Sequence, residues 1–503
     1  MTDKIIFWIG SDFVQLGLAS SLQTKHDCKL YAIIDTTDRL KNFFKAQEFV
    51  DFTKIWFYHD HISKSKKQID LEYLASFEKK YGIDLWLLAY NERVFFEYNA
   101  FYRFSNEEIL TIIEQECRFF ENILDETKPD FLIMPMTSLH HNHLFYQICK
   151  AKGIKILLTI PTRLGKRYMI SNQPEKFDIF AIRNNGFSSK TLDQLQNYLK
   201  GSVASKDSKA FSSTFLTSKS KLIKAALQFL FFSKNTNIKT HYSYYGRTKL
   251  RVLFYSILFL LKKKYRTYFV NKHLSRTLGN EPFVFYSLQT EPERSLLIAA
   301  PFYTDQLKTI KDVAKSIPVH YKLYIKEHPT QIVREWRSTA FYKKLLSLPN
   351  VKLLHPSVSS EDIIKKSSLI VTVGGTTGFE ATFYGKPTLT FTETIYSELK
   401  SVHTLQKIDD LPTSVRSALQ KKVDSNELSQ FIIDLEKNSF EVNMMELEIE
   451  INNQFFYGGF LVDVDVGMGK MKLFYEKFKP VFEQLAVEHI KKIKQYREHL
   501  PGN

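Results

Sequence analysis

Short apolar runs recur along the first third of the chain, each closed by polar or small residues. They read "KIIFWIG" (4–10), "KLYAIID" (29–35), "KIWFYHD" (54–60), "DLWLLAY" (84–90), "DFLIMPM" (130–136) and "IKILLTI" (154–160). These runs do not alternate apolar with polar, so both faces of each strand are expected to be covered, as in a parallel sheet. Amphipathic stretches lie between them. The clearest begins at Ser105, with Glu108 three residues on, and predicts a helix opened by a capping box and running to about Thr127. The pattern restarts with "FVFYSL" (283–288), "YKLYIK" (321–326), "VKLLH" (351–355), "LIVTV" (369–373) and "PTLTF" (387–391), with helices expected over 304–316 and 377–384. Beyond about residue 420 the pattern is mostly helical, ending in "VFEQLAVEHIKKIKQYREHL" (481–500).

Alternating strand and helix patterns predict an α/β protein with two doubly wound, Rossmann-like domains. The expected division is an N-terminal Rossmann-like domain (1–205), a basic helical connector (206–280), a C-terminal Rossmann-like domain (281–420) and a helical tail (421–503). In such folds ligands sit beyond the carboxyl ends of the strands, so the cleft between the domains is the expected active site.

Charge sharpens the picture at one place. The net charge is +16, yet between Ser208 and Asn280 there is no Asp or Glu against about fifteen Lys and Arg. Elsewhere the signs nearly cancel, which argues against a general nucleic-acid binder and for a localised anionic partner. Within that window "KLIKAALQFLFF" (221–232) and "KLRVLFYSILFLLKKK" (249–264) are apolar stretches flanked by basic residues. The apolar core of the second is about half of what crosses a bilayer. It fits a helix lying on an anionic membrane surface, or equally one packed on the two domains. Cys28, Cys117 and Cys149 form no zinc or disulfide spacing, which suggests a reducing cytoplasm, and the apolar run at the N-terminus is too short for a signal peptide.

Two strand ends carry candidate chemistry. "YIKEHP" places Lys326, His328 and Pro329 at the edge facing the cleft; a histidine and a lysine there suit a phosphate, although proline ending a strand accounts for the same residues. "VTVGGTTGFE" places Gly374 and Gly375 before a helix opened by Thr376 and Thr377, with Glu380 a turn later. Glycines allow close approach and the free N–H groups of a helix start bind anions, while either threonine also serves as an N-cap. No GxxxxGK[ST] run is present, which excludes a P-loop NTPase.

"FVFYSLQTEPE", "YIKEHP", "NVKLLHP", "VTVGGTTGFEATFYGKPTLTF" and "IDDLP" (408–412) together resemble the C-terminal domain of capsule polysaccharide biosynthesis proteins over roughly residues 280–412. That family comprises glycosyltransferases of the GT-B type, including Kdo transferases that use CMP-Kdo. GT-B sialyltransferases have a similar His-Pro pair and a hydroxyl pair on the CMP phosphate. The resemblance implies those roles for His328, Pro329, Thr376 and Thr377, a nucleotide-sugar co-substrate, possibly a CMP-sugar, and neither a further cofactor nor a protein-bound metal. The hydroxyl pair here is Thr-Thr, and the acidic motif that supplies the sialyltransferase base is missing.

A base is therefore sought elsewhere in the first half. Asp12, after the first strand, is one candidate, and it also suits a helix cap. Glu92 is the second, with Arg93 beside it, both expected at the edge of the 84–90 strand, where they would hold an acceptor or pair locally. "SLHHNH" (138–143) adds His140 as an acceptor contact; His140 and His143 share a helix face, but no other Cys or His cluster supports a metal. The expected function is thus a cytoplasmic glycosyltransferase, peripheral on the inner face of the membrane, acting on a glycan or lipid-linked acceptor. The alternatives are a nonhydrolysing UDP-sugar 2-epimerase, a CDP-alditol phosphotransferase of teichoic acid type, and a polysaccharide-binding scaffold.

Overall fold

The computed structural model describes residues 2–64, 68–178, 190–202, 219–328, 330–331 and 337–498. In the first half the strands are β1 (Asp3–Ile9), β2 (Cys28–Ile34), β3 (Phe52–Phe57), β4 (Phe131–Pro135), β5 (Lys155–Pro161) and β6 (Arg167–Ser171). In the second they are β7 (Phe283–Ser287), β8 (Lys322–Lys326), β9 (Val351–Leu354), β10 (Leu369–Thr372), β11 (Thr388–Thr390) and β12 (Val402–Thr404), followed by the two-residue β13 (Phe440–Glu441). Among the described residues the first sheet has the order β13-β6-β5-β4-β1-β2-β3 and the second β12-β11-β10-β7-β8-β9. The second is parallel throughout; the first is parallel except where β6 runs antiparallel to β5 and to β13. Strand order reverses between β1 and β4 and between β7 and β10, and each reversal opens a crevice beyond the strand ends. The protein is an α/β chain with two Rossmann-like domains, as the apolar runs predict.

One run folds differently. Residues 84–90 do not form a strand: Leu85–Tyr90 is a helix that buries Leu85 and Ala89 and leaves Trp86 and Tyr90 exposed. The run lacks β-branched residues, its three leucines and one alanine are good helix formers, and the buried pair falls four residues apart. Glu92 and Arg93 consequently follow a helix, not a strand edge.

Successive residues of β1 face opposite layers. Ile6 and Trp8 meet the Asn106–Thr127 helix, which opens with the expected Ser105–Glu108 capping box, and the His140–Ala151 helix. Ile5, Phe7 and Ile9 share the other layer with the Val14–Lys25 helix, and the Met468–Glu498 helix, from the far end of the chain, packs on that helix with Phe474, Phe478 and Phe482 in the same cluster. That contact is so close that a Cβ at Gly17 would overlap the Phe482 ring. The C-terminal segment thus returns to the first sheet. A continuous apolar cluster joins the two halves, with Phe379, Phe383 and Tyr396 packed with Leu195, Leu428 and Phe431.

The described part of the connector has two unlike pieces. Asn237–Tyr245 is threaded into the first domain, with Asn237, His241, Tyr242 and Tyr245 buried. The Lys249–His273 helix instead stands in solvent over most of its length. Leu250, Phe254, Ile257, Leu261, Tyr265 and Tyr268 recur every three or four residues along it and are 53–80% exposed. Phe231 and Phe232, at the end of the preceding helical stretch, are 71% and 70% exposed. The alternative in which these faces pack on the domains is not what the structure has. No helix of the described residues is long and apolar enough to cross a membrane.

Candidate active site

The crevice at the β7/β10 reversal is built by Ser287 and Gln289 after β7 and by residues 373–377 after β10. Gly375 is the N-cap of the Thr376–Phe383 helix, and no side chain caps that end. Neither threonine is the cap, which corrects one of the two expected readings. Thr376 is exposed, and Thr377 Oγ1 lies 3.2 Å from Ser287 Oγ across the reversal. Gly375 is required by packing as well as by any ligand, since a Cβ there would sit 2.7 Å from Gln289 Nε2 and 2.9 Å from Thr372 Oγ1. Gly374 is buried beside it, and its carbonyl accepts a 2.5 Å bond from Arg163 of the other domain. Glu380, a turn into the helix, has its carboxyl pushed up to about 7 by burial.

The end of β8 explains its own sequence. Lys326 is buried, and its ammonium donates to Val358 O at 2.6 Å and Ser360 Oγ at 2.7 Å, so it anchors the loop after β9 in place of the expected donor contact. Glu327 is buried too. One of its oxygens accepts from His328 N–H at 3.0 Å, and the other from Arg337 Nε at 3.1 Å and Tyr342 Oη at 2.7 Å. This pins the backbone that carries His328. The imidazole is then oriented by two threonines: Nδ1 lies 2.9 Å from Thr290 Oγ1 and 2.7 Å from Thr330 Oγ1, and accepts from Thr330 N–H at 3.3 Å. Because Nδ1 accepts from a backbone N–H, the proton of the neutral ring sits on Nε2, the form that donates to an anion. Pro329 lies outside the described residues.

The first domain's strand ends face a cleft of about 330 Å³ shared with the second. Arg93, Ser138 and Arg163 line it on one side and Arg294, Gly374 and Thr392 on the other. Arg93 donates to Ser138 O at 2.6 Å, while Arg163 takes a left-handed φ of 67° just after β5. Asp12 is half-buried after β1, at the β1/β4 reversal, and its Oδ1 accepts from Val14 N–H at 3.1 Å. The next residue, Phe13, is fully buried with φ 57°, a conformation that a bulky residue holds only when its surroundings impose it. Burial pushes the Asp12 carboxyl above its ordinary value. The lining of the 330 Å³ cleft includes Arg93 but neither Asp12 nor Glu92.

A family model described as capsule polysaccharide biosynthesis protein overlaps the stretch whose motifs suggested that family. Residues 193–406 match this family. The match to the capsule synthesis family takes in the described connector helices and every strand of the second sheet. No curated protein matches the chain. Similar solved structures include UDP-GlcNAc 2-epimerase from Neisseria meningitidis bound to UDP-GlcNAc (13% identity, 86% of this chain and 100% of that one, TM-score 0.23). Others are the beta Kdo 2,7 transferase KpsC of Thermosulfurimonas dismutans (12% identity, 62% and 79%, TM-score 0.29) and the glycotransferase of kitacinnamycin (11%, 89% and 98%, TM-score 0.24). The fold rests on the strand order itself, not on these likenesses.

Outside the capsule-family segment, Glu92 and His140 lie beneath the cleft. Glu92 is 4% exposed; its Oε2 meets His140 N–H at 2.9 Å and His140 Nδ1 at 2.8 Å, and its Oε1 accepts from Val94 N–H. His140 Nε2 lies 3.0 Å from both oxygens of Glu116, which also accepts from Tyr58. Burial would raise the Glu92 carboxyl, but His140 holds it down at about 2. A carboxylate so enclosed does not reach the cleft, and His140 is turned inward with it, away from the expected acceptor. His143 does not join them: its Nδ1 lies 3.0 Å from Thr137 Oγ1. The residues the sequence reading missed are Ser287, Thr290 and Thr330 around the ends of β7 and β8, the Glu327–Arg337 pair beneath His328, and Arg163 across the cleft. Glu327 stands inside the "YIKEHP" run, but nothing in the sequence ties it to an arginine ten residues on.

Proposed function

We propose that this protein is a glycosyltransferase of surface polysaccharide biosynthesis. It takes a sugar from a nucleotide-sugar donor, a CMP-sugar in the first instance, and passes it to a glycan or lipid-linked acceptor. The observation that supports this most is the uncapped amino end of the Thr376–Phe383 helix at the β7/β10 reversal. His328, oriented at the end of β8 on the far side of β7, is the second group. In this reading the donor phosphate lies between them, with the N–H groups of Thr376 and Thr377, the Thr377 hydroxyl and His328 Nε2–H as donors. Charge builds on the phosphate as the glycosidic bond to the sugar breaks, so these groups stabilise the transition state more than the bound donor, and no metal is needed for that charge. The acceptor enters from the first domain along Arg93, and Asp12 takes the proton from its hydroxyl. The exposed apolar stripe of the Lys249–His273 helix, set among lysines, supports seating on an anionic membrane surface; a free sugar-nucleotide epimerase would have no use for it.

The test begins with thermal shifts of the protein with CMP, CDP, UDP and GDP, to identify the nucleotide that stabilises it. His328→Ala is then expected to lower sugar transfer by about 3 kcal/mol, a few hundredfold, while nucleotide affinity changes far less. Transfer unchanged in His328→Ala, or no nucleotide bound at this edge, overturns the reading.

A further inference from the structure

The buried polar cluster under the first domain's strand ends has a composition that the transferase reading does not use. Glu116 projects from the apolar face of the Asn106–Thr127 helix and is fully buried, and His140 and His141 are the first two residues of the His140–Ala151 helix. One ligand atom from each lies within 4.8 Å of the others. The remaining imidazole nitrogens are already engaged: His140 Nδ1 lies 2.8 Å from Glu92, and His141 Nε2 lies 2.9 Å from Asp35. His140 Nε2 and His141 Nδ1 are therefore the nitrogens turned towards Glu116. Two phenol oxygens occupy the same space, with Tyr242 Oη 3.1 Å from His141 Nδ1 and 2.9 Å from Tyr58 Oη.

We propose that Glu116, His140 and His141 form a structural site for a divalent transition metal of the zinc class, with the hydroxyl of Tyr58 or Tyr242 at the fourth position. Two imidazole nitrogens with one carboxylate select such an ion over magnesium or calcium. Ligands bound at about 2.0–2.2 Å in a tetrahedron stand about 3.4 Å apart, so the His140–Glu116 and His141–Tyr242 pairs, now 3.0 and 3.1 Å apart, would part by a few tenths of an ångström to admit the ion, within the reach of side-chain rotation. A carboxylate on the far nitrogen of each histidine is the outer arrangement that fixes the tautomer and orients a metal-bound imidazole, and here both histidines have one. The ion would join the 106–127 helix, the start of the 140–151 helix and, through Tyr242, the connector. It is distinct from the donor crevice, so the proposal stands or falls separately from the transferase reading.

The full chain is purified without chelator and its metal content measured by mass spectrometry; it is then stripped and titrated with Co²⁺ alone and Zn²⁺ alone. A single tightly held equivalent is expected, with visible d–d bands on Co²⁺ binding. At roughly a hundredfold excess of metal over its Kd, a rise in Tm of about 5 °C is expected. His141→Ala and Glu116→Gln are expected to lose the bands and the shift; since either variant can fail to fold, the spectrum of the unaltered protein decides. A stripped protein that takes up neither ion and keeps its Tm overturns the proposal and leaves the cluster as a proton-balanced ion-pair network. Bands that persist in both variants overturn it as well, because the ion then sits elsewhere.

Discussion

Replacing Phe254, Ile257 and Leu261 together by serine tests the membrane-seating reading most directly. These three side chains are 62, 53 and 63% exposed on one face of the Lys249–His273 helix. Full burial of such a side chain is worth about 2 kcal/mol, so transferring their exposed fractions into the boundary of a bilayer contributes about 3.5 kcal/mol. The triple variant should accordingly bind vesicles a few hundredfold more weakly. Each lysine near an anionic surface contributes about 1 kcal/mol, so changing Lys262, Lys263 and Lys264 to glutamate should also release the protein. The two effects separate by salt. The lysine contribution fades as the screening length shrinks, whereas the apolar contribution persists. The assay is flotation with vesicles of anionic and of neutral lipid across an ionic-strength series, with Tm measured in parallel. All three side chains point into solvent, so Tm should hardly change. Unaltered flotation of the triple-serine variant refutes the reasoning. So does a large drop in Tm, which would mean that the stripe is internal packing.

Three further outcomes follow from the site. Thr377→Val should lower turnover more mildly than His328→Ala, because the backbone N–H groups of the helix end remain; a loss as large as that of His328→Ala would mean that Thr377 acts through its Ser287 contact on the fold of the crevice. Asp12→Asn should reduce sugar transfer by about a hundredfold or more with nucleotide affinity intact, and full activity in the amide variant would move the base elsewhere. Glu380 titrates near 7 in the folded chain against 4.5 for the free group. Between those values the unfolded chain loses this proton first, so the contribution of Glu380 to stability falls as pH rises from about 4.5 to 7 and is level above. Glu380→Gln should remove that slope from a plot of Tm against pH and raise Tm at pH 8, whereas an unchanged slope would mean that Glu380 is solvated.

The runs that proved legible are those buried on both faces, where an unbroken apolar stretch has few other uses; β1, β4 and β8 are of this kind. The 84–90 run was equally apolar but had no β-branched residue, and tertiary packing decided for a helix. Strands β6, β12 and β13 were invisible because "RYMIS", "VHT" and "FE" are short, and β6 and β12 are mixed in character as well. At the site, His328 could be found because it ends a strand. Its supports could not, because Thr290 and Arg337 reach it only through the fold. Glu116 did leave a trace: it is a lone charge among Ile112, Ile113, Phe119 and Phe120, on the face of a helix that has to be buried. A carboxylate in that position requires a partner, and the histidines at 140 and 141 were near enough in the sequence to be asked about.

The return of the chain's last helix to its first helix has a consequence for biosynthesis. Domains ordinarily fold in turn as they leave the ribosome, at about 5–20 residues per second. Here the Val14–Lys25 helix, on one layer of the first sheet, is covered by the Met468–Glu498 helix, with Phe474, Phe478, Phe482, Leu485, Ile493 and Tyr496 in the same cluster. The nascent first domain therefore waits with an open apolar face while the second is made, for roughly half a minute at the middle of that range. The second sheet, whose strands lie between residues 283 and 404, has its own core and can close earlier. The order of folding is thus expected to invert the order of synthesis. During that interval the uncovered face of the Val14–Lys25 helix is a natural place for a chaperone to hold, and a chain stalled before residue 468 would be recognised as unfinished by the domain it made first.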